Sequence, residues 1–392
     1  MSTRSSISFT TKFAEQDRQS MMRALELARQ GVALAHPNPM VGAVLVKHGV
    51  IVGEGFHRYE ERDHAEIIAL RQAGEKAWGA TLYTNLEPCC TTGRTGPCTA
   101  ALISAKIKQM YGAMEDPNPA VTGKGYAELE RAGISVNVGL CADEAKTLNE
   151  DFAKWVTTGI PYVTLKSAST LDGQIAVRAT ETTPLTGEAA RAAAQRIRHR
   201  ADALLTGIGT ILADNPQLTD RSGERRRRSL VRVVLDSQLR LPLKSQLVLS
   251  GKGDVLVYTT QPVDSPRARA LTSVGVEVIH VPPNGEHVDL NFVIRDLGQR
   301  QIVNLLIEAG AEVNGAALAA GVVDKVALFY APKFIGADGV PLARTTAKKL
   351  AHLAALTNLT VESYEPDILV EGYFRDVYKD IYKGRKNGRR KR

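Results

Sequence analysis

No stretch of this chain approaches the roughly 18 consecutive apolar residues that a membrane-spanning helix needs, although 44% of its 392 residues are hydrophobic. Met1 to Thr11 is rich in Ser and Thr but has no apolar run behind Arg4, so it does not read as a secretory signal. A cytoplasmic protein with no membrane partner is the expectation. Cysteine is scarce, with four residues at Cys89, Cys90, Cys98 and Cys141. Three of them crowd into one short segment, unlike the dispersed pairs of a secreted disulfide framework. In a cytosolic chain such a cluster points to metal or catalysis. No internal repeat is present, and the length fits two domains better than one core. The net charge of +8 is concentrated in Arg225-Arg226-Arg227-Arg228 and in Gly384 to Arg392. Neither run has hydrophobic periodicity, so a solvated loop and a loose end are expected, not a nucleic-acid surface.

The first half alternates between helical and strand periods. Asp17 is placed to cap a helix through Met21, Leu25 and Ala28 that ends at Gly31. Met40 to Val46 and Val50 to Gly53 read as a hairpin through His48-Gly49. A helix from His64 to Ala73, a strand over Ala80 to Asn85, a helix from Cys98, a strand over Gln109 to Met114, a helix over Tyr126 to Ala132 and a strand over Ile134 to Val138 follow. This is an α/β order, a sheet covered by helices. The pattern restarts around Thr157 to Pro161. Strands are then expected at Tyr162 to Ser167, Ala203 to Thr206, Val231 to Leu235, Asp254 to Tyr258, Val276 to Val281, Ile302 to Ile307, Lys325 to Tyr330 and Ile368 to Phe374. Helices are expected at Glu188 to Arg198, around Leu290 to Leu297 and up to Ala320.

His64-Ala65-Glu66 opens one predicted helix, and Pro88-Cys89 and Cys98 flank another strand–helix junction. Zinc takes imidazole and thiolate ligands in a tetrahedral site, and a catalytic site keeps one position for water. His64, Cys89 and Cys98 supply three ligands. In such a site the metal lowers the pKa of water to about 7, and Glu66, two residues past the histidine, is the candidate catalytic proton carrier. His-x-Glu with Pro-Cys and a second Cys is the division of labour of zinc deaminases. Cys90 could replace Cys89 as ligand; Cys89 is preferred because it directly follows the proline. Cys141 reads as a buried spacer.

In the second half, Gly207-Ile208-Gly209-Thr210 follows a strand, and glycines there let backbone approach a phosphate. A third glycine at Rossmann spacing is missing, because Leu212 stands there, so the dinucleotide fingerprint is not met. A plain turn explains this segment equally well. Ile307-Glu308-Ala309-Gly310-Ala311 is a second strand–Gly–helix junction, able to hold a pyrophosphate or to be a tight connection only.

The motifs His64-Ala65-Glu66, Leu86 to Cys90 and Gly93-Arg94-Thr95-Gly96-Pro97-Cys98 resemble the bifunctional deaminase–reductase of riboflavin biosynthesis. So do His36 to Gly42, Asp116 to Pro119, Lys166 to Gly173 and Ile211 to Thr219. Eight residues separate Cys89 from Cys98, where nucleic-acid deaminases of this fold usually keep two. The resemblance implies a cytidine-deaminase-like α/β/α domain over 1–158, a dihydrofolate-reductase-like domain over 159–376 and a basic tail over 377–392. It implies zinc and NADPH as cofactors and a pyrimidine ribosylamino phosphate as the small-molecule substrate. That substrate would be deaminated and then reduced from ribosyl to ribityl by hydride transfer.

Carried over by position, Asn38, Arg94, Asp116 and Asn118 would contact substrate in the deaminase, although the Asn and Asp positions also suit turns. In the reductase, Ala168, Thr210, Asp214, Ser237 and the turn Gly310, Ala311, Glu312, Val313, Asn314, Gly315, Ala316 would face NADPH. Lys166, Thr182, Arg198, Leu218, Arg221 and Glu308 would face the ribosyl phosphate, with the two arginines near the phosphate. Lys166 otherwise reads as an edge-strand lysine, and the arginines as surface charges. The chain departs from the family at Cys90-Thr91, where Ser-His is common, and at Glu61, where glycine is usual. It departs again at Pro184, where an aromatic would pack on the cofactor. A homo-oligomer is expected. The alternatives are a zinc deaminase of tRNA or single-stranded DNA with an accessory nucleotide-binding domain, and a zinc-stabilised scaffold without turnover.

Overall fold

Helix α1 (Glu15–Arg29) buries Met21, Ala24, Leu25 and Ala28 along one face, the helical spacing visible in the sequence. Its start differs from expectation: the N-cap is Ala14, and Asp17 lies inside the first turn. The Asp17 carboxylate accepts the Tyr83 hydroxyl at 2.6 Å instead of capping. The computed structural model describes residues 13–180, 183–345, 350, 355–379 and 381. The chain divides into two units between Thr157 and Thr158.

In the first unit β1 (Gly42–Lys47) and β2 (Val50–Phe56) form an antiparallel hairpin. His48 and Gly49 both take positive φ at its turn, as a tight two-residue turn requires. Then follow α2 (Ala65–Ala73), β3 (Thr81–Thr84), α3 (Cys98–Ser104), β4 (Gln109–Gly112), α4 (Lys124–Arg131) and β5 (Ser135–Val138). The sheet order is β2-β1-β3-β4-β5, with β3, β4 and β5 parallel. Ala43, Leu45, Leu82 and Met110 pack with Ala65, Ala69, Leu102 and Leu129 under α2, α3 and α4. Helix α1 covers the opposite face, and a Cβ on Gly42 would lie 2.0 Å from the Ala24 carbonyl oxygen. Glycine is what lets that helix approach so closely. The result is an α/β/α sandwich. Helices α5 (Ala142–Leu148) and α6 (Glu150–Thr158) were not foreseen.

The second unit carries β6 (Tyr162–Thr170), β7 (Gln174–Ala176), α7 (Glu188–Arg200), β8 (Ala203–Gly207), α8 (Ile208–Asp214), β9 (Val231–Leu235), α9 (Gln246–Leu249), β10 (Val255–Thr259), α10 (Pro266–Ser273), β11 (Glu277–His280), β12 (Pro283–Asn284), β13 (His287–Val288), α11 (Leu290–Gln299), β14 (Asn304–Ile307), α12 (Ala311–Ala319), β15 (Lys325–Ala331), β16 (Val340–Pro341), β17 (Thr357–Tyr364) and β18 (Asp367–Tyr373). Its main sheet runs β11-β10-β9-β8-β14-β6-β15-β18-β17. From β11 to β15 neighbours are parallel; β18 and β17 add on antiparallel. Leu205, Val233 and Leu305 point to one core, and Leu204, Val234 and Leu306 to another on the opposite face. Strands buried on both sides read as unbroken apolar runs, which is why β8, β9, β10 and β14 were legible.

The alternative reading of Lys166 as an edge-strand lysine does not hold, since β6 lies between β14 and β15. Two expectations fail. The arginine run is not simply solvated: Arg226 pairs with Asp220 at 2.8 Å and Arg228 with Asp202 at 3.3 Å. The tail does not begin at 377, because Val377 and Tyr378 are each only 8% exposed. Each of these features depends on a partner that a distant segment supplies, which local sequence does not reveal.

Candidate functional sites

His64 is the residue before α2, with extended backbone, and Cys98 is the first residue of α3. Cys89 sits in the loop after β3. The His64 imidazole and the two thiols bring their ligand atoms within 4.8 Å of one another. His64 Nδ1 is 3.2 Å from Cys98 Sγ and 3.4 Å from Cys89 Sγ. The Cys98 amide donates to Cys89 Sγ at 3.4 Å. Hydrogen bonds from Cys98 and, despite burial, from His64 pull the Cys89 thiol down to about 4. The Cys98 thiol is pushed up by its bond to Cys89 and by burial. One imidazole and two sulfurs match a tetrahedral zinc site with one open position. Neither Cys90 nor Cys141 joins the cluster.

Glu66 follows in the first turn of α2 and is 3% exposed. Its Oε2 is buried without a hydrogen-bond partner among the described residues. Burial pushes its pKa up to about 7, so both protonation states are accessible near neutral pH, as proton transfer in both directions requires. A zinc ion beside it would pull that value down again.

His57 was missed by sequence reading; it stands one residue past β2, where nothing in the local pattern marks it. Its Nδ1 lies 3.0 Å from the Asp63 carbonyl oxygen, which can only accept. Nδ1 therefore carries the hydrogen, and Nε2 accepts from Asn38 Nδ2 at 3.0 Å. That bond fixes which way the Asn38 amide faces.

Glu87 was also missed. Buried between two loops, it accepts backbone N–H groups of Asp116, Gly123, Gly125 and Tyr126. It thereby ties the segment bearing Cys89 to the turn bearing Asp116 and Asn118. Asp116 Oδ1 accepts the Asn118 amide and Asn118 Oδ1 the Ala120 amide, so both oxygens serve the turn itself. Arg94 lies over the Tyr59 ring, 4.2 Å from its centroid, and donates to the Tyr59 carbonyl at 3.2 Å.

In the second unit a cleft of about 1280 Å³ opens at the carboxyl ends of β6, β8, β9 and β14, where open α/β sheets bind ligands. Lys166, Ala168, Arg198, Thr210, Asp214, Leu218, Ser237, Glu308 and the start of α12 line it. Glu308 accepts from Lys166 Nζ at 2.9 Å and from Arg198 at 2.8 and 2.9 Å. A Cβ on Gly209 would meet nothing within 4 Å, so the backbone there is open to an approaching phosphate, and the start of α12 suits the nicotinamide nucleotide's pyrophosphate. Asn314 does not line the cleft; it is fully buried and donates to the Leu342 carbonyl at 2.9 Å. One helical residue of that run had to face away. Arg221 is exposed and also outside the lining, while Thr182 lies outside the described residues. Arg178, Gln238, Arg240, His287 and Arg344 line the cleft from segments with no recognisable motif.

A deaminase-type metal site in one unit and a nucleotide cleft on a dihydrofolate-reductase-like sheet in the other define a bifunctional zinc deaminase and reductase. Two family models match, the cytidine and deoxycytidylate deaminase zinc-binding region over residues 14–114 and the RibD C-terminal domain over 161–370. The riboflavin biosynthesis protein RibD of Escherichia coli is 40% identical over 365 residues, covering 90% of this chain and 98% of its own. That of Actinobacillus pleuropneumoniae is 39% identical over 357 residues, covering 91% and 94%. A solved Acinetobacter baumannii RibD has a TM-score of 0.82 at 38% identity, covering 92% of this chain and 99% of that one. The chain belongs to the RibD family, the zinc- and NADPH-dependent deaminase–reductases of riboflavin biosynthesis.

Proposed function

We propose that residues 1–158 deaminate a diaminohydroxyphosphoribosylaminopyrimidine and that residues 159–376 reduce the ribosyl side chain of the resulting uracil. A Thermotoga maritima structure bearing those two activities in its name is 34% identical over 91% of this chain, with a TM-score of 0.78. The observation that carries the reading is the convergence of His64, Cys89 and Cys98 beside the buried carboxylate of Glu66. His64, Cys89 and Cys98 would hold zinc, which when bound would supply Lewis acidity and lower the pKa of water toward neutrality. Glu66, buried beside these donors, would carry a proton between the attacking water and the departing amine. Asn38, oriented by His57, meets the ring; Arg94, Asp116 and Asn118 meet the rest of the substrate.

In the reductase, Ala168, Thr210, Asp214, Ser237 and the residues from Gly310 to Ala316 would hold NADPH, the buried Asn314 by supporting the helix. Lys166 and Glu308 would orient the opened sugar, with Leu218 beside it, and Arg198 and Arg221 would face its phosphate. The test follows ammonia release and NADPH consumption separately with the pyrimidine substrate. Both activities are expected. NADPH left unoxidised even when the deaminated intermediate is supplied would refute the reductase half; absence of ammonia from zinc-loaded protein would refute the other.

Among the described residues no helix is long and apolar enough to cross a membrane, and we place the protein in the cytoplasm. A homo-oligomer is also proposed. It is supported by β17, which ends the sheet order as an exposed edge strand carrying Leu359 and Val361, 59% and 65% exposed, an edge open to pairing with a second copy. Light scattering is expected to give a multiple of the chain mass, reduced by Val361→Lys. A monomeric wild type would refute it.

A further inference from the structure

The arginine run contains a strut that the sequence did not suggest. Asp220 Oδ2 accepts from His199 Nδ1 and from Arg226, both at 2.8 Å, and Oδ1 accepts the Ser222 amide at 2.9 Å. His199 is 4% exposed and the Asp220 side chain 6%. Arg226 directs its remaining N–H groups to carbonyl oxygens, Ala201 at 2.7 Å, Arg228 at 2.8 Å and His199 at 3.4 Å. The Arg221 amide is held in turn by Gln195 Oε1 at 2.9 Å. The backbone from 220 to 222 is therefore fixed from α7 on one side and from 226 on the other. The Arg221 side chain is exposed, and no hydrogen bond or ion pair of its guanidinium occurs among the described residues. A pinned backbone carrying an uncommitted guanidinium is what an anion site needs, because little order remains to be imposed on binding.

The neighbouring residue on α7 completes the geometry. Arg198 donates to the Thr219 carbonyl at 3.2 Å, just before the clamped aspartate, and reaches Glu308 in the cleft. Asp220 also lies close enough for its charge to act on Arg198, which offsets the repulsion between two arginines brought to one phosphate.

We propose that Asp220, clamped between His199 and Arg226, is a positioning residue that holds Arg221 and Arg198 for the phosphate of the reductase substrate. The proposal rests on the reading above that these arginines meet that phosphate. The test measures reductase KM and kcat for the deaminated intermediate and for the same compound without its phosphate. NADPH affinity is read separately by fluorescence. Asp220→Asn and Arg226→Ala are expected to raise KM for the phosphorylated compound roughly 10- to 100-fold. The KM for the dephosphorylated compound, kcat and NADPH affinity should hold.

Arg221→Ala separates the two layers. If it leaves the phosphorylated KM unchanged, the phosphate reading fails. If it raises KM while Asp220→Asn and Arg226→Ala do not, the clamp has no positioning role. An equal loss for both compounds, or a loss of NADPH affinity, would make the clamp a folding element only and overturn the proposal. Should Asp220→Asn not fold, Arg226→Lys carries the same test, because it keeps the charge beside Asp220 without the fork to the carbonyls.

Discussion

Glu66→Gln is expected to slow ammonia release by about 10²- to 10⁴-fold, the usual contribution of a positioned proton carrier, while zinc content and reductase activity hold. The substitution keeps the shape of the side chain and removes its charge and its ability to exchange a proton. The buried Oε2 has no partner among the described residues, so no structural hydrogen bond of that oxygen is lost. Glu66 is not among the three converging donors, so metal retention separates this variant from a ligand variant. His64→Ala or Cys98→Ala should instead lose zinc and ammonia release together. Metal analysis beside a coupled ammonia assay distinguishes the two. Near-normal turnover by Glu66→Gln would remove the residue from the chemistry and leave the site a bound metal without an assigned proton carrier.

The convergence of His64, Cys89 and Cys98 was legible because these residues carry short-range signals: a histidine two before a glutamate at a helix start, and a cysteine after a proline. Those signals survive without knowledge of the fold. His57 and Glu87 carry none. The one works through a carbonyl and a distant asparagine, the other through backbone amides far along the chain, and only the folded sheet brings those groups together. Strands buried on both faces announced themselves as apolar runs, whereas β17, almost entirely exposed, has a polar, alternating sequence and was passed over. The arginine run was misjudged for the same reason as His57. A charge run looks solvated until the aspartate that pairs with it is known to be adjacent in space.

Glu308→Ala is expected to lower reductase kcat/KM by about 10²-fold or more and to destabilise the second unit by about 3–5 kcal/mol, the usual cost of breaking a buried ion pair from one side. Lys166 and Arg198 have only 12% and 11% of their side chains exposed, so removing the carboxylate leaves two confined cations without it. Glu308→Gln keeps the shape but not the charge and should show a smaller form of both effects. Burial by itself would raise the Glu308 pKa; the charges of Lys166 and Arg198 outweigh it and hold the carboxyl well below its ordinary 4.5. The sign follows from linkage. The stabilisation is fully present above pH 4.5 and is lost progressively as pH falls below that value toward the depressed one. Urea unfolding of wild type and Glu308→Gln at pH 7 and in steps below pH 4.5 should therefore converge with acidification. Ammonia release at neutral pH should be unaffected, because the described residues assigned to the deaminase, His64, Glu66, Cys89 and Cys98, belong to the first unit. Parallel curves for the two proteins across that range would show that Glu308 is not ionised against Lys166 and Arg198. The cleft would then need another source of order for the sugar.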